Sequence, residues 1–197
     1  MAYPRSFLSE SNFLLAFSRL ARSSNADYKK FHRHLLPSYQ ISLGENVRDL
    51  VAAVRRGSYR PSEPLIIYRP KANGLLRPIS ILCLNDLIVY QAIANAVAEQ
   101  FRSEQDTFSL KRTFANILAS PRSQFFFQPW RQTYAAYCGA LSQSFDEGYS
   151  WLAEFDLVSL YELIDHRVLR ACLAARFDNP ELLNLLFDCL QAALHIK

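Results

Sequence analysis

The sequence has 197 residues, half of them apolar, which is enough for one or two small domains with a real core and argues against global disorder. Its 22 basic residues exceed the 18 acidic ones, and the net charge of +4 suits a polyanionic partner without requiring one. No signal peptide is visible and charges interrupt every apolar stretch well before bilayer length, so we expect a cytoplasmic protein without a membrane span.

The first predicted element is an amphipathic helix over residues 10–22, whose apolar side chains recur at helical spacing. Ser9 and Ser11 are both suitable N-caps for it. A basic cluster follows, in which Lys29, Lys30 and Arg33 surround an aromatic residue. Such a cluster is usually a solvated helix face, but it also suits contacts with a nucleic-acid backbone.

We expect Pro37 to end this element and a connector to run from there to Gly44. A second amphipathic helix is predicted from four apolar residues at helical spacing, and Gly57 is its expected stop. The apolar residues are Val47, Leu50, Val51 and Val54.

A β-hairpin is predicted over residues 65–81, with strands at 65–68 and 75–81. Asn73 and Gly74 between them are a strong signal for a short turn. Pro78 lies inside the second strand and indicates an edge position, where its missing N–H matters least. Arg69, Lys71 and Arg77 make this hairpin cationic, which by itself is typical of an exposed edge that discourages strand pairing.

A long helix is predicted to begin at Asn85 or Asp86 and to continue through Phe101. Gln91 on this helix is either a surface residue, which we favour, or a contact to nucleic acid. Residues 102–113 are polar, and residues 123–134 are rich in aromatic side chains. Core packing is the favoured interpretation of these aromatic residues, with base stacking as the alternative.

Residues 151–166 are predicted to begin as a buried strand and to end as a helix, because a short apolar run precedes helix-like spacing. Asp156 lies near the end of the strand. A buried carboxylate is costly unless it is paired or holds a cation. Mg²⁺ is a suitable cation, since it is usually bound by one or two carboxylates together with substrate phosphates. A helix over 168–173 and a last helix starting at Asn179 and Pro180 follow.

The four cysteines are scattered and include no C-x-x-C pair. Zinc sites usually show tight pair spacing and disulfide frameworks belong to oxidising compartments, so we expect reduced thiols in the core. Glycine is scarce, whereas leucine and alanine are frequent, and together with the predicted hairpin this indicates a helix-rich α+β fold. The cysteines are Cys83, Cys138, Cys172 and Cys189.

Two blocks of the sequence resemble prokaryotic reverse transcriptases. The first resembles their fingers block and reads Arg69-Pro-Lys71-x-x-Gly74-x-x-Arg77-Pro78-Ile79, followed by Asn85-Asp86 and Val89-Tyr90-Gln91-Ala92-Ile93. The second resembles their first palm motif and comprises Phe155, Asp156, Leu157, Ser159, Leu160, Tyr161, Ile164, Asp165 and His166. The resemblance covers roughly residues 40–197.

The resemblance implies the fingers and partial palm of a right-hand polymerase, truncated before the second catalytic hairpin. Residues 1–40 would be an N-terminal helical extension. Residues 41–125 would be the fingers, and residues 126–197 the start of the palm with the first catalytic aspartate. The implied activity is RNA-directed DNA polymerisation, in which a primer 3′-hydroxyl attacks a deoxynucleotide with two Mg²⁺ ions present.

Roles for individual residues follow from the same resemblance. Asp156 would be the catalytic carboxylate and a Mg²⁺ ligand, with the Leu157 carbonyl oxygen as a second ligand. Lys71 and Arg77 would grip the incoming triphosphate, and Tyr161 would crowd a ribose 2′-hydroxyl and so favour deoxynucleotides. Other cations are candidates for contacts with the RNA template or DNA product: Arg69, Lys111, Arg112, Lys29, Lys30 and Arg33.

The sequence also departs from the family. A Gly-Phe-Arg-Pro segment typical of intron enzymes is absent, and the aromatic stretch replaces it, which favours the retron-like, phage-defence and abortive-infection branch. The family's Tyr/Phe-x-Asp-Asp hairpin, which supplies the second carboxylates, is not found in these 197 residues. We therefore expect this polypeptide to be inactive alone.

The competing class is a non-catalytic, polymerase-derived module that binds nucleic acid or its own copies, so a homo-oligomer stays open. An RNA-dependent RNA polymerase is disfavoured by Tyr161 and by Ile164-Asp165-His166. Reading the gene past codon 197 separates enzyme from module, because a downstream Tyr/Phe-x-Asp-Asp would favour the enzyme.

Overall fold

The computed structural model describes residues 3–23, 28–157 and 160–193, without the side chains of Tyr28, Tyr161 and Glu162. This part of the chain is helix-rich with one small antiparallel sheet, which confirms the α+β class. No helix in it is both long enough and apolar enough to cross a bilayer. In chain order the elements are α1 (Glu10–Arg22), α2 (Tyr28–Phe31), α3 (Leu35–Ile41), α4 (Leu43–Arg55), β1 (Leu65–Pro70), β2 (Leu76–Ile81), α5 (Leu84–Phe108), α6 (Trp130–Asp146), α7 (Leu160–Leu163), α8 (His166–Ala174) and α9 (Pro180–Ala193).

The hydrophobic core is formed mainly by four helices. α1 packs on α4 and α5, and α5 packs on α9. The apolar positions that predicted α4 are all buried, and so are most apolar side chains in the N-terminal half of α5. Phe7 before α1 and Phe177 before α9 close the core at its ends. Burial of these side chains is the main term that stabilises this part of the chain.

The predicted helix ends of the core are confirmed. The Ser9 hydroxyl accepts a hydrogen bond from the Asn12 N–H at 3.2 Å and so caps α1. Gly57 follows α4 with a φ of 69°, and its N–H donates to the Val54 carbonyl at 3.0 Å. The side chain of Asn179 accepts from the Leu182 N–H at 2.8 Å at the start of α9. Each of these bonds satisfies a backbone group that a helix end leaves unpaired.

Three predicted boundaries are wrong. Pro37 lies inside α3, in its first turn, where the missing N–H has no intrahelical acceptor to lose. Gly44 is likewise part of α4 rather than a connector. α5 begins at Leu84, with Cys83 at the N-cap, and Asp86 belongs to its first turn. In each case the helix begins one or two residues before the residue that was expected to mark a helix boundary.

The predicted hairpin is confirmed, with β1 antiparallel to β2 and Leu65 opposite Ile81. Its turn is stabilised by two backbone bonds, from the Lys71 N–H to the Leu75 carbonyl at 2.7 Å and from the Gly74 N–H to the Lys71 carbonyl at 3.0 Å. Gly74 has a φ of 79°, which a side chain would disfavour and which closes a three-residue turn. In the described structure β2 pairs only with β1, so Pro78 lies on an edge strand as expected.

The buried strand predicted at residues 151–157 is not formed. This segment has no regular secondary structure, and Trp151 and Phe155 are 93% and 94% exposed. A core strand requires a neighbouring strand for its backbone groups and a second layer for its side chains. The two strands of the described structure, at residues 65–81, pair with each other and not with this segment, so neither requirement is met here.

The cysteine prediction is correct in part. All four thiols are free. Cys189 is buried and Cys83 is half-buried, but Cys138 on α6 and Cys172 on α8 are exposed. Those two helices bury very little of their surface, so their thiols have no core to enter.

Candidate nucleotide site

The hairpin presents three cations on one face. Arg69 and Arg77 stand directly opposite each other, and directly opposed residues of an antiparallel pair share a face. Lys71 is two residues after Arg69, and its backbone bond to Leu75 extends the ladder, so alternation places it on the same side. Cations placed side by side in this way can offer several donors to one anion.

The opposite face of the hairpin is apolar. Tyr68 and Leu76 lie there by the same alternation and are 65% and 59% exposed, next to Pro70 and Pro78. The hairpin is therefore exposed and has one cationic face and one apolar face.

The base of the hairpin is fixed to the rest of the molecule. The Ser80 hydroxyl donates to the Ala193 carbonyl at the end of α9 at 2.5 Å. The Leu82 carbonyl, just after β2, accepts a hydrogen bond from the Nε2 atom of His32 at 2.8 Å. Ile81 at the base is buried. The cationic face is thus carried on an anchored support, which lowers the ordering cost of binding a ligand.

His32 also brings the basic cluster to the hairpin. The cluster was expected to be one surface patch, but His32 within it is buried, with 6% exposure. Lys30 and Arg33 on either side are exposed, and Lys29 is half-buried. Two groups of cations that lie far apart in the sequence are therefore connected through a single hydrogen bond at the base of β2.

A buried carboxylate positions the chain entering the hairpin, and the sequence analysis missed it. Asp86 is 3% exposed and accepts hydrogen bonds from the Tyr59 hydroxyl at 2.6 Å and from the Ser62 N–H at 2.9 Å. Burial, reinforced by this hydrogen bond, raises the pKa of the Tyr59 hydroxyl. The signal for Asp86 in the sequence is an acidic residue in the first turn of a helix, and this pattern predicts only where the helix starts.

Lys111 and Arg112 do not join this site. They lie exposed in the turn that follows the C-terminal end of α5, whereas the hairpin precedes its N-terminal end. α5 has 25 residues, which is about 37 Å at the usual rise per residue. The two sets of cations therefore belong to separate surfaces.

Asp156 and Leu157 lie in the exposed segment 151–157. Within the described residues, no hydrogen bond or ion pair joins Asp156 to Lys71 or Arg77. A carboxylate and a main-chain carbonyl are the oxygen donors that Mg²⁺ prefers, so the chemistry of this pair fits the ion. No three His, Cys, Asp or Glu side chains lie close enough together in the described structure to hold a metal ion.

Asp165 and His166 of the palm-like motif contact neighbouring helices and helix ends. The Asp165 carboxylate caps α8 by accepting from the Arg167 N–H at 2.8 Å, and it pairs with the Arg167 guanidinium at 2.8 Å. The hydrogen bond from the Arg167 side chain lowers the pKa of Asp165. His166 packs edge-on against Phe187 of α9, with ring centroids 5.8 Å apart. Ser159 and the side chain of Tyr161 lie outside the described residues.

The aromatic stretch is mostly exposed, so the favoured interpretation of core packing is wrong for it. Trp130 and Tyr134 on α6 are 60% and 57% exposed. Within α6 only Thr133 is buried. Phe126 is the half-buried member, and the guanidinium of Arg19 lies over its ring at 5.2 Å.

Arg19 is the second buried polar group that the sequence analysis missed. Its Nη1 donates to Asn95 Oδ1 at 2.6 Å, and its Nε donates to the Ser123 carbonyl at 3.0 Å. Burial lowers the pKa of this guanidinium. Gln91, which we expected at the surface, is half-buried and donates to the same Asn95 oxygen at 2.9 Å. A polar network thus joins α1, α5 and the loop that carries the aromatic residues.

A scan against models of known protein families gives no match. The chain is 29% identical over 156 residues to Protein YkfC of Escherichia coli strain K12. This match covers 78% of the chain but 37% of that protein, so the chain spans a little more than a third of the length of this curated relative.

Proposed function

We propose that these residues are the fingers and the first part of the palm of an RNA-directed DNA polymerase. The cationic face of the hairpin carries this proposal. It joins Arg69, Lys71 and Arg77 on an anchored support, in the sequence context that resembles the fingers of prokaryotic reverse transcriptases. A role in antiphage defence is proposed from the sequence resemblance alone.

In this proposal the hairpin holds the triphosphate of an incoming deoxynucleotide. A guanidinium offers a planar fork of donors to phosphate oxygens, and an ammonium offers a compact charge. Because Arg69 and Arg77 stand opposite each other, both guanidinium groups could donate to the same triphosphate.

Asp156 and Leu157 would hold Mg²⁺ through a carboxylate and a carbonyl oxygen. The bound ion would neutralise charge on the phosphate oxygens. Segment 151–157 would have to pair with a further strand for Asp156 to be held in place. The exposed Trp151 and Phe155 are consistent with this, because a new sheet layer would cover them.

A second candidate function is a non-catalytic module that binds nucleic acid or a copy of itself. It is favoured by the same exposed segment, since large apolar patches commonly mark interaction surfaces. In that case the hairpin would contact phosphates without any transfer reaction.

The test is nucleotide incorporation by the whole protein on a primed RNA template with deoxynucleotides and Mg²⁺. Asp156→Asn should abolish incorporation while the melting temperature is unchanged. Lys71→Ala and Arg77→Ala should each raise the KM for deoxynucleotide by roughly tenfold, the usual loss for a hydrogen bond to a charged group.

Arg48→Ala is the matched control, because Arg48 is an exposed cation on α4 outside the hairpin. Its KM should equal that of the wild type. Incorporation that persists in Asp156→Asn would refute the assigned site, and absence of incorporation by the wild type would favour the non-catalytic module.

A further inference from the structure

One segment of the chain carries basic residues without any acidic one. Residues 107–145, from the end of α5 through most of α6, contain four basic residues and no acidic residue. The four cations are Lys111, Arg112, Arg122 and Arg131, and all are exposed.

The same segment carries a continuous row of aromatic rings. Trp130 and Tyr134 have ring centroids 6.4 Å apart, and Tyr134 and Tyr137 are 6.1 Å apart. Tyr137 in turn contacts Phe114, whose ring lies 5.7 Å away. Residues three and four apart share a helix face, which is why α6 aligns these side chains. We call these four residues the aromatic row.

Cations lie at both ends of the aromatic row. The Arg131 guanidinium is 5.7 Å from the Trp130 ring at one end. At the other end, Lys111 and Arg112 occupy the tight turn just before Phe114, and their N–H groups bond to the Phe108 carbonyl. Aromatic faces flanked by cations are the combination that binds bases and phosphates of an unpaired strand.

The loop between Phe114 and α6 is held by side-chain hydrogen bonds. The side chain of Gln105 accepts from the Leu118 N–H at 2.8 Å and donates to the Asn116 carbonyl at 3.0 Å. Arg19 holds the following loop through the carbonyls of Pro121 and Ser123, both at 3.0 Å. A preformed surface loses little conformational entropy when it binds.

We propose that the aromatic row and its flanking cations bind single-stranded nucleic acid. From Trp130 to Tyr137 the helix rises about 10 Å, which corresponds to about three stacked nucleotides. A duplex hides its base faces, and an apolar protein partner would not require cations at both ends of the row. Identifying the bound strand as a template rests on the proposed polymerase function. Binding of the strand does not require catalysis.

The test is fluorescence anisotropy of labelled 12-mers of oligo(dT) and oligo(U), without Mg²⁺ or nucleotides, using the same protein preparation as for incorporation. Trp130→Ala with Tyr134→Ala should weaken binding by at least about tenfold, given what stacking on one ring usually contributes. Trp130→Phe with Tyr134→Phe keeps two aromatic faces and should restore most of the affinity. The tighter of the two oligomers identifies the polymer.

Tyr149→Ala is the matched control, because Tyr149 is 67% exposed and lies beyond the end of α6, outside the row. A second pair of variants tests the cations. Lys111→Ala with Arg112→Ala should reduce the slope of log affinity against log salt by up to about 1.4. Arg55→Ala with Arg56→Ala, another exposed basic pair at a helix end, should leave the slope unchanged.

Three results would overturn the proposal. The first is a wild type that binds no single strand, the second is a Tyr149 variant that loses as much affinity as the Trp130 and Tyr134 variant, and the third is a duplex 12-mer that binds as tightly as the single strands. Altered self-association in the Trp130 and Tyr134 variant with unchanged strand affinity would instead assign the row to a protein interface. Asp156→Asn should bind strands normally, so failure of the catalytic proposal and failure of this one are separable.

Discussion

The packed helical core and the open region of this molecule use the same kinds of residue in opposite ways. In the core, formed by α1, α4, α5 and α9, Phe13 has no exposed surface. In the open region, formed by α6 and residues 151–157, Phe155 is 94% exposed. Both phenylalanines lie in apolar runs of the sequence. An apolar pattern alone therefore does not bury a residue, because burial also requires another element to pack against it.

This comparison also separates two kinds of candidate function. The hairpin is fixed to the core through α9 and His32, so its cations are displayed on a stable support. The Asp156 segment has no comparable support in the described structure. Substitutions in the two regions should therefore differ in their effect on stability.

Removing one aromatic ring from each region should give the sharpest contrast. Phe13→Ala should lower the free energy of unfolding by about 3–5 kcal/mol, because it leaves a cavity in the core. Phe155→Ala should change it by less than about 0.5 kcal/mol, as for other exposed sites. Urea unfolding followed by circular dichroism measures both. Equal losses for the two variants would mean that Phe155 is buried in solution and that the open region is closed there.

The polar connection between the regions should have an intermediate effect. Arg19→Met would leave two loop carbonyls without their donor and remove one of the two donors to the Asn95 oxygen, at a cost of about 1–3 kcal/mol. Arg22→Met is the control, since Arg22 is exposed on the same helix. Limited proteolysis should also cut the loop at 118–128 faster in the Arg19 variant. An unchanged digestion pattern would show that the loop does not depend on Arg19.

Two glycines should respond with opposite signs. Gly74→Ala forces a side chain into a turn with a φ of 79° and should destabilise the hairpin by about 1 kcal/mol. Gly139→Ala lies within α6, where an added Cβ meets no atom within 4 Å, and should stabilise the helix by about 0.4–1 kcal/mol. Thermal melting of both variants provides the measurement. A destabilised Gly139 variant would indicate that α6 is closely packed against another surface.

Much of the fold followed from short-range patterns. The apolar spacing in α4, the stop at Gly57 and the turn at Asn73 and Gly74 were all predicted, because each depends on residues within one or two turns of chain. The cationic hairpin was predicted in the same way. The single face shared by Arg69 and Arg77 follows once the register is known.

Other features depend on partners that are distant in the sequence. Asp86 and Arg19 are ordinary charged residues in the sequence, and only the approach of Tyr59, Asn95 and the loop carbonyls accounts for their burial. Gln91 was placed at the surface for the same reason. No local pattern distinguishes a charged side chain that will meet a buried partner from one that will meet water.

Helix spacing, turn chemistry and charge are local properties, so the sequence alone predicted α1, α4, α5, α9, the hairpin and the basic segments. It did not predict α6. The tertiary structure decided which apolar runs are buried and which cations share a surface. Those outcomes depend on long-range contacts: α5 separates Lys111 and Arg112 from the hairpin by its length, while His32 connects the basic cluster to the base of the hairpin. Trp151 and Phe155 stay exposed because no described element packs over them.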